Sequence, residues 1–163
     1  MTREYLSTDK ILTILIATPP RLAELAAGLA PARLHTAPSD GEWSVNQLLA
    51  HLRACSDVWG DYYMATILAE DKPTLKAINP RTWIKKTDYL EQEFQPALRA
   101  FTEQRTKLLA VLEPLPLEEW MRTNTLVGAG RPLQQTLISH ADGLARHERA
   151  HLKQIERTLT ALQ

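Results

Sequence analysis

Ser139-His140-Ala141-Asp142-Gly143-Leu144-Ala145-Arg146-His147-Glu148-Arg149-Ala150-His151-Leu152-Lys153-Gln154-Ile155 reads as one long amphipathic helix. Its apolar residues, joined by Leu137 before it and Leu159 after it, recur at spacings of three and four, which marks a buried face. His147 and His151 stand one helical turn apart, so both imidazoles leave the same side of the cylinder. They lie in or beside the apolar stripe, where an unpaired polar ring costs free energy. A shared metal ion would satisfy both rings, since neutral imidazole is a common ligand.

Three earlier stretches carry the same rhythm. The first, from about Thr8 to Leu29, has Ile11, Leu15, Leu22 and Leu25 on its apolar side. Pro19-Pro20 inside it predicts a kink or two abutting helices, because proline removes a backbone donor and crowds the preceding turn. The second opens at Ser44, where Ser44-Val45-Asn46-Gln47 fits a capping box. Leu48, Leu52, Cys55, Val58 and Trp59 follow on one face, and His51 sits inside that stripe. Next comes a proline-bounded connection with Trp83 and Ile84 as anchors onto the bundle. The third helix is capped by Asp88 with Glu91 three residues on and runs to about Leu112, Pro96 marking a kink or a later start. Gly128-Ala129-Gly130 is a turn, and Pro132 suits the first position of the final helix. No stretch reads as a strand. The sum is an all-α protein, one domain over residues 1–163: an up-and-down four-helix bundle with short extra helices and room for a longer crossover.

Composition narrows the partners. Nineteen basic and nineteen acidic residues cancel, which leaves no electrostatic footprint for nucleic acid. The longest apolar run, from Ile11 to Ala17, is too short to span a bilayer. Glu4 and Asp9 and the lack of a small-residue cleavage site argue against a signal peptide. Cys55 is the single cysteine, so no internal disulfide can form and a reducing cytoplasm is expected.

His51 turns a modest pair into a set. Three imidazoles meeting between bundle helices make an open site with positions left for water or substrate. His140 lies two turns before His147, about 10 Å along the axis, so one ion is not shared by His140 and His151. A pocket role or a satisfied core histidine is left for it. Cys55, one turn beyond His51, suits a soft metal or a small core position. His35 falls in a polar loop and is expected to be exposed. His147-Glu148-Arg149-Ala150-His151 also matches HExxH, in which the glutamate is the general base beside a zinc-bound water. Neither a metzincin extension nor a Met-turn follows, which argues against a protease. Glu148 keeps two readings: a proton-moving catalytic group, or a salt-bridged or solvated helix position. Trp43, Trp59, Tyr62, Tyr63 and Trp83 read as pocket wall or as core.

Glu42-Trp43-Ser44-Val45-Asn46-Gln47-Leu48-Leu49-Ala50-His51-Leu52, joined to His147-x-x-x-His151-Leu-x-Gln154-Ile155, resembles the DinB/YfiT-like superfamily. Thr18-Pro19 and the overall length fit as well, so the similarity spans nearly the whole chain. The resemblance implies a four-helix bundle, often a homodimer, that holds a divalent ion such as nickel or zinc. The family's three ligands fall on His51, His147 and His151. Relatives often carry an acidic residue shortly after the tryptophan-serine pair, where this sequence has Asn46 and Gln47. Family members similar to this include thiol S-transferases, mycothiol-dependent isomerases and metal-dependent hydrolases. The expectation is a metal-dependent enzyme acting on a small molecule, by transfer of a low-molecular-weight thiol or by hydrolysis. A non-catalytic, stress-associated metal-binding bundle is the alternative, and a purely structural helical protein a third.

Overall fold

In the computed structural model, which describes residues 4–163, the first helix, α1 (Thr8–Ala26), runs unbroken through Pro19 and Pro20. Of the two expectations, a kink or two abutting helices, the second is not met: one helix continues, and the carbonyls that the prolines release have other partners within reach. Pro19 frees the carbonyl of Leu15, and the buried guanidinium of Arg105 donates to it from Nη1 at 2.9 Å. Pro20 frees that of Ile16, a residue on the exposed side of the helix where water can reach.

After a single turn, α2 (Pro31–Leu34), the second long helix begins at Ser44 with both bonds of its capping box formed. The Gln47 amide donates to Ser44 Oγ at 3.2 Å, and the Ser44 amide donates to Gln47 Oε1 at 2.8 Å. α3 (Val45–Ser56) passes into a π-helical stretch, Asp57–Met64, and then α4 (Ala65–Ala69). The Asp57 carboxylate accepts from Trp83 Nε1, the Tyr89 hydroxyl and Gln104 Nε2, at 2.9, 2.7 and 2.6 Å. That fastens α5 (Pro80–Trp83) and the 3₁₀ turns Ile84–Lys86 and Tyr89–Glu91 onto the bundle, with Ile84 buried against Ala50 and Ala54.

α6 (Phe94–Leu112) starts later than the expected cap at Asp88. Pro96 is its third residue, within the first turn, where a proline breaks no bond of the helix. Another single turn, α7 (Leu117–Trp120), leads to the main correction to the all-helical reading. β1 (Thr74–Lys76), β2 (Thr123–Val127) and β3 (Leu133–Thr136) form a three-stranded sheet in the order β1-β2-β3. β2 and β3 are an antiparallel hairpin whose turn holds Gly128 and Gly130 at φ of 96° and 86°, conformations that favour glycine. β1 pairs with β2 in parallel, Leu75 opposite Leu126. The strands hold three to five residues each, too few for the alternation of a half-buried strand to stand out. Pro132 therefore precedes a strand. The last helix, α8 (Leu137–Ala161), is capped by Thr136, with Ser139 returning the second bond.

The long helices make the expected four-helix bundle. α1 packs on α6 and α8, and α3 packs on the same two, so α1 and α3 face each other across the bundle. Two apolar clusters fill it: one around Ile11, Leu15, Met64 and Leu144, the other around Leu22, Leu48, Phe101 and Ile155. Between them lies a buried polar layer to which each long helix contributes: Thr18, Ser56, Arg105 and Glu148. Among the described residues, no helix is long and apolar enough to cross a membrane.

Candidate metal centre

Side-by-side packing of α3 and α8 brings His51 opposite the His147–His151 turn. His51 Nε2 lies 3.2 Å from His147 Nε2, and His147 Nε2 lies 3.1 Å from His151 Nε2. One ring nitrogen from each of the three histidines falls within 4.8 Å of the others. Three imidazoles on a tetrahedral ion at about 2.0–2.1 Å would hold their nitrogens about 3.3 Å apart. The two short separations match that edge.

The protonation pattern suits coordination. His151 Nδ1 lies 2.9 Å from Gln154 Oε1, an oxygen that can only accept, so the ring proton sits on Nδ1 and leaves a lone pair on Nε2. Burial, followed by the neighbouring histidines, brings the His51 pKa down to about 4. Burial and His151 do the same for His147. His151 is lowered by burial and raised by its bond to Gln154. Neutral rings are the form that donates a lone pair. His147 Nδ1 is buried without a hydrogen-bond partner among the described residues, and its Nε2 has the rings of His51 and His151 as neighbours.

Two of the five suggested aromatics flank the centre. Trp43 lies 5.0 Å from the His51 ring, and Trp59 meets His147 edge-on at 5.2 Å between centroids. The others hold the fold: Tyr62 and Tyr63 accept from the amides of Lys76 and Ile78, and Trp83 donates to Asp57. A cavity of about 200 Å³ opens beside the centre with His51 in its wall.

His140 is buried apart from the cluster, its Nε2 2.9 Å from Asn124 Oδ1, which makes it a satisfied core histidine. Burial takes its pKa down to about 4. Cys55 is buried with Sγ 3.5 Å from His51 Nε2, and burial, reinforced by Glu148, pushes its thiol up to about 12. His35 sits in its loop with Nε2 2.9 Å from Glu93. Of the two readings of Glu148, the structure places the carboxylate in a buried ion pair. It accepts from Arg105 through both oxygens, Nη1 to Oε1 at 2.8 Å, and from Thr18 Oγ1 at 2.8 Å.

Two arginines escaped the sequence reading. Arg105 falls on the apolar stripe of α6, four residues after Phe101 and three before Leu108; a charge at a core position was the available signal. Arg81 lies on α5 with its guanidinium 4.9 Å above the Trp43 ring, and its charge helps to lower the pKa of His51 and His151. No spacing within a four-residue helix announces that.

Comparison with known proteins bears on this arrangement. The family model of the DinB superfamily matches residues 14–155. A protein of Geobacillus thermodenitrificans, named as a proposed metal-dependent hydrolase, is 28% identical over 110 residues, 64% of this chain. The match spans 58% of that relative's length. YfiT from Bacillus subtilis, described as a probable metal-dependent hydrolase with an unusual four-helix bundle topology, superposes with a TM-score of 0.75 at 22% identity. That superposition covers 98% of this chain and 93% of YfiT. A Streptococcus pneumoniae protein of solved structure superposes with a TM-score of 0.65 at 11% identity, over 97% of this chain and 94% of that one.

Proposed function

This chain belongs to the DinB superfamily, and from that premise we propose that it is a metal-dependent enzyme hydrolysing a small molecule at the His51–His147–His151 centre. The observation that carries the reading is the convergence of three imidazoles, with the Nε2 atoms of His51 and His151 each at coordination-edge distance from that of His147 and a cavity beside them. A divalent ion bound there, zinc or nickel, supplies Lewis-acid chemistry that makes a water or thiol nucleophilic near neutral pH. Three imidazoles suit either metal. The names of the similar Geobacillus and Bacillus proteins support hydrolysis.

The chain's own residues then have distinct tasks. His51 from α3 and the pair from α8 hold the ion, and Gln154 fixes the tautomer and tilt of His151. Trp43 and Trp59 cover the His51 and His147 rings. Glu148, bonded to Arg105 and Thr18, anchors the turn of α8 that carries His147 and His151. With both oxygens so engaged, its task in this reading is positioning, and proton transfer is assigned to no side chain.

Transfer of a low-molecular-weight thiol onto an electrophile is the second reading. It uses the same centre with the thiol in place of water, and it leaves the thiol in the product. A cytoplasmic location rests on the single cysteine and a homodimer on the family expectation, and light scattering tests the latter.

Metal analysis is the decisive experiment. Purified protein is expected to hold about one divalent ion per chain at a three-histidine site. His147→Ala and His151→Ala lose it, while His140→Ala keeps it. Full metal content in both ligand variants would overturn the assignment. Turnover of an ester and amide panel that disappears with chelation and returns with metal supports the enzyme; stoichiometric metal with no turnover favours the non-catalytic bundle.

A further inference from the structure

The cavity beside His51 has a charge pattern that the metal centre does not explain. Arg81 and Lys85 line it, both from the connecting segment that crosses α3, and no acidic side chain does. Neither cation is paired with a carboxylate among the described residues, although ion pairs occur elsewhere on the molecule. Gln47 and His51 are the other polar groups of the wall, and the rest is apolar: the Trp43 ring below Arg81, buried Ile84, and Leu90, which is 50% exposed at the rim. An apolar wall with a few directed polar groups is the usual make-up of a small-molecule site. A guanidinium held over an aromatic ring keeps its fork of donors free, and that fork matches a carboxylate or phosphate.

We propose that this cavity binds a small organic anion, its oxyanion head on Arg81 and Lys85 and its apolar body against Trp43, Ile84 and Leu90, so that the molecule is presented to the centre at His51. This assigns a substrate class and rests on the three-histidine centre being the reacting site. A cavity of about 200 Å³ selects a compact molecule. The segment that carries both cations is fixed by Asp57 through Trp83 and Tyr89, so their backbone positions at the cavity are set before any ligand arrives.

The test compares phenylacetate and phenyl phosphate with the neutral phenylacetamide, following the indole N–H resonance of Trp43 by NMR in zinc-loaded and metal-free protein. The metal-free arm separates pairing with Arg81 from direct ligation of the ion. At least one of the two anions is expected to bind about five- to tenfold more tightly than the amide in both forms, allowing for a partly exposed charge pair. The better of the two identifies the head group. In Arg81→Gln the preference falls to within about twofold, in Lys85→Gln it falls partway, and in Lys10→Gln on the distant α1 surface it is unchanged. Equal binding of anions and amide by metal-free wild type, or a preference that survives in Arg81→Gln with Lys85→Gln, overturns the inference. Zinc uptake distinguishes the two failures. Protein that takes up zinc through its histidines yet shows no anion preference refutes only the substrate class; an Arg81-dependent preference in protein that binds no zinc refutes only the metal reading.

Discussion

His140 and the three clustered histidines are the same residue type in the same bundle, and their surroundings give them opposite consequences. His140 bonds Asn124 and lies against the Tyr63 ring, and among the described residues it belongs to no cluster that could share an ion. Burial sets its folded pKa at about 4, against an ordinary 6.5. As the pH falls, the unfolded chain takes up this proton first. The contribution is therefore present in full above pH 6.5 and is lost as the pH drops toward 4, at about 1.4 kcal/mol per pH unit in that window. Other groups titrate there too, so the comparison between proteins isolates the effect. His140→Gln, which keeps an amide partner for Asn124, should show a shallower loss of unfolding free energy between pH 6.5 and 4.5 than wild type. Equal slopes would show that His140 does not titrate as the buried ring requires. At the centre, proximity decides instead: the Nε2 atoms of His51 and His151 both lie beside that of His147, where a common ion would engage all three rings at once.

The start of α3 does its work at the scale of one element. Ser44 and Gln47 satisfy two early amides and fix where the helix begins, which sets the phase that turns His51 inward two turns later. Ser44→Ala should cost about 1 kcal/mol of unfolding free energy in urea titration. Its metal content should match wild type, because α6 and α8 still hold the helix at His51. Loss of metal in this variant would mean that the cap, and not the packing, sets the ring. The connecting segment is the counterpart. Its short turns have little stability of their own, and two bonds to Asp57, from Trp83 and Tyr89, keep them in place.

Across the whole molecule, the polar layer joins the four long helices. Arg105 bonds Glu148 of α8, the Leu15 carbonyl of α1 and Ser56 of α3, and Thr18 completes the contacts of Glu148. Removing either Arg105 or Glu148 leaves a buried, uncompensated charge. Arg105→Met should therefore destabilise by about 3–5 kcal/mol in chemical unfolding. The double variant Arg105→Met with Glu148→Met should recover a large part of that loss, since no charge stays buried. Recovery stays incomplete because the Leu15 carbonyl, freed by Pro19, still lacks a donor. Additive losses in the double variant would show that the layer stabilises through each bond separately.

The three-and-four spacing of apolar residues determined the four long helices by itself, because that period belongs to the backbone and needs no partner. The same spacing put His147 and His151 on one side of α8 and His51 on the inner face of α3, and the Ser44 cap was legible for the same local reason. The sheet was not legible: its strands are short and one pairing joins Thr74 to Thr125, far apart in the chain, so only the folded bundle brings them together. The unbroken course of α1 through Pro19 depended on Arg105 reaching over from α6. Only the tertiary structure decided which helices lie side by side. That choice set His51 against the α8 pair, enclosed Glu148 with Arg105, and laid Arg81 over Trp43 beside the centre, because contacts between distant segments are fixed by packing and not by local period.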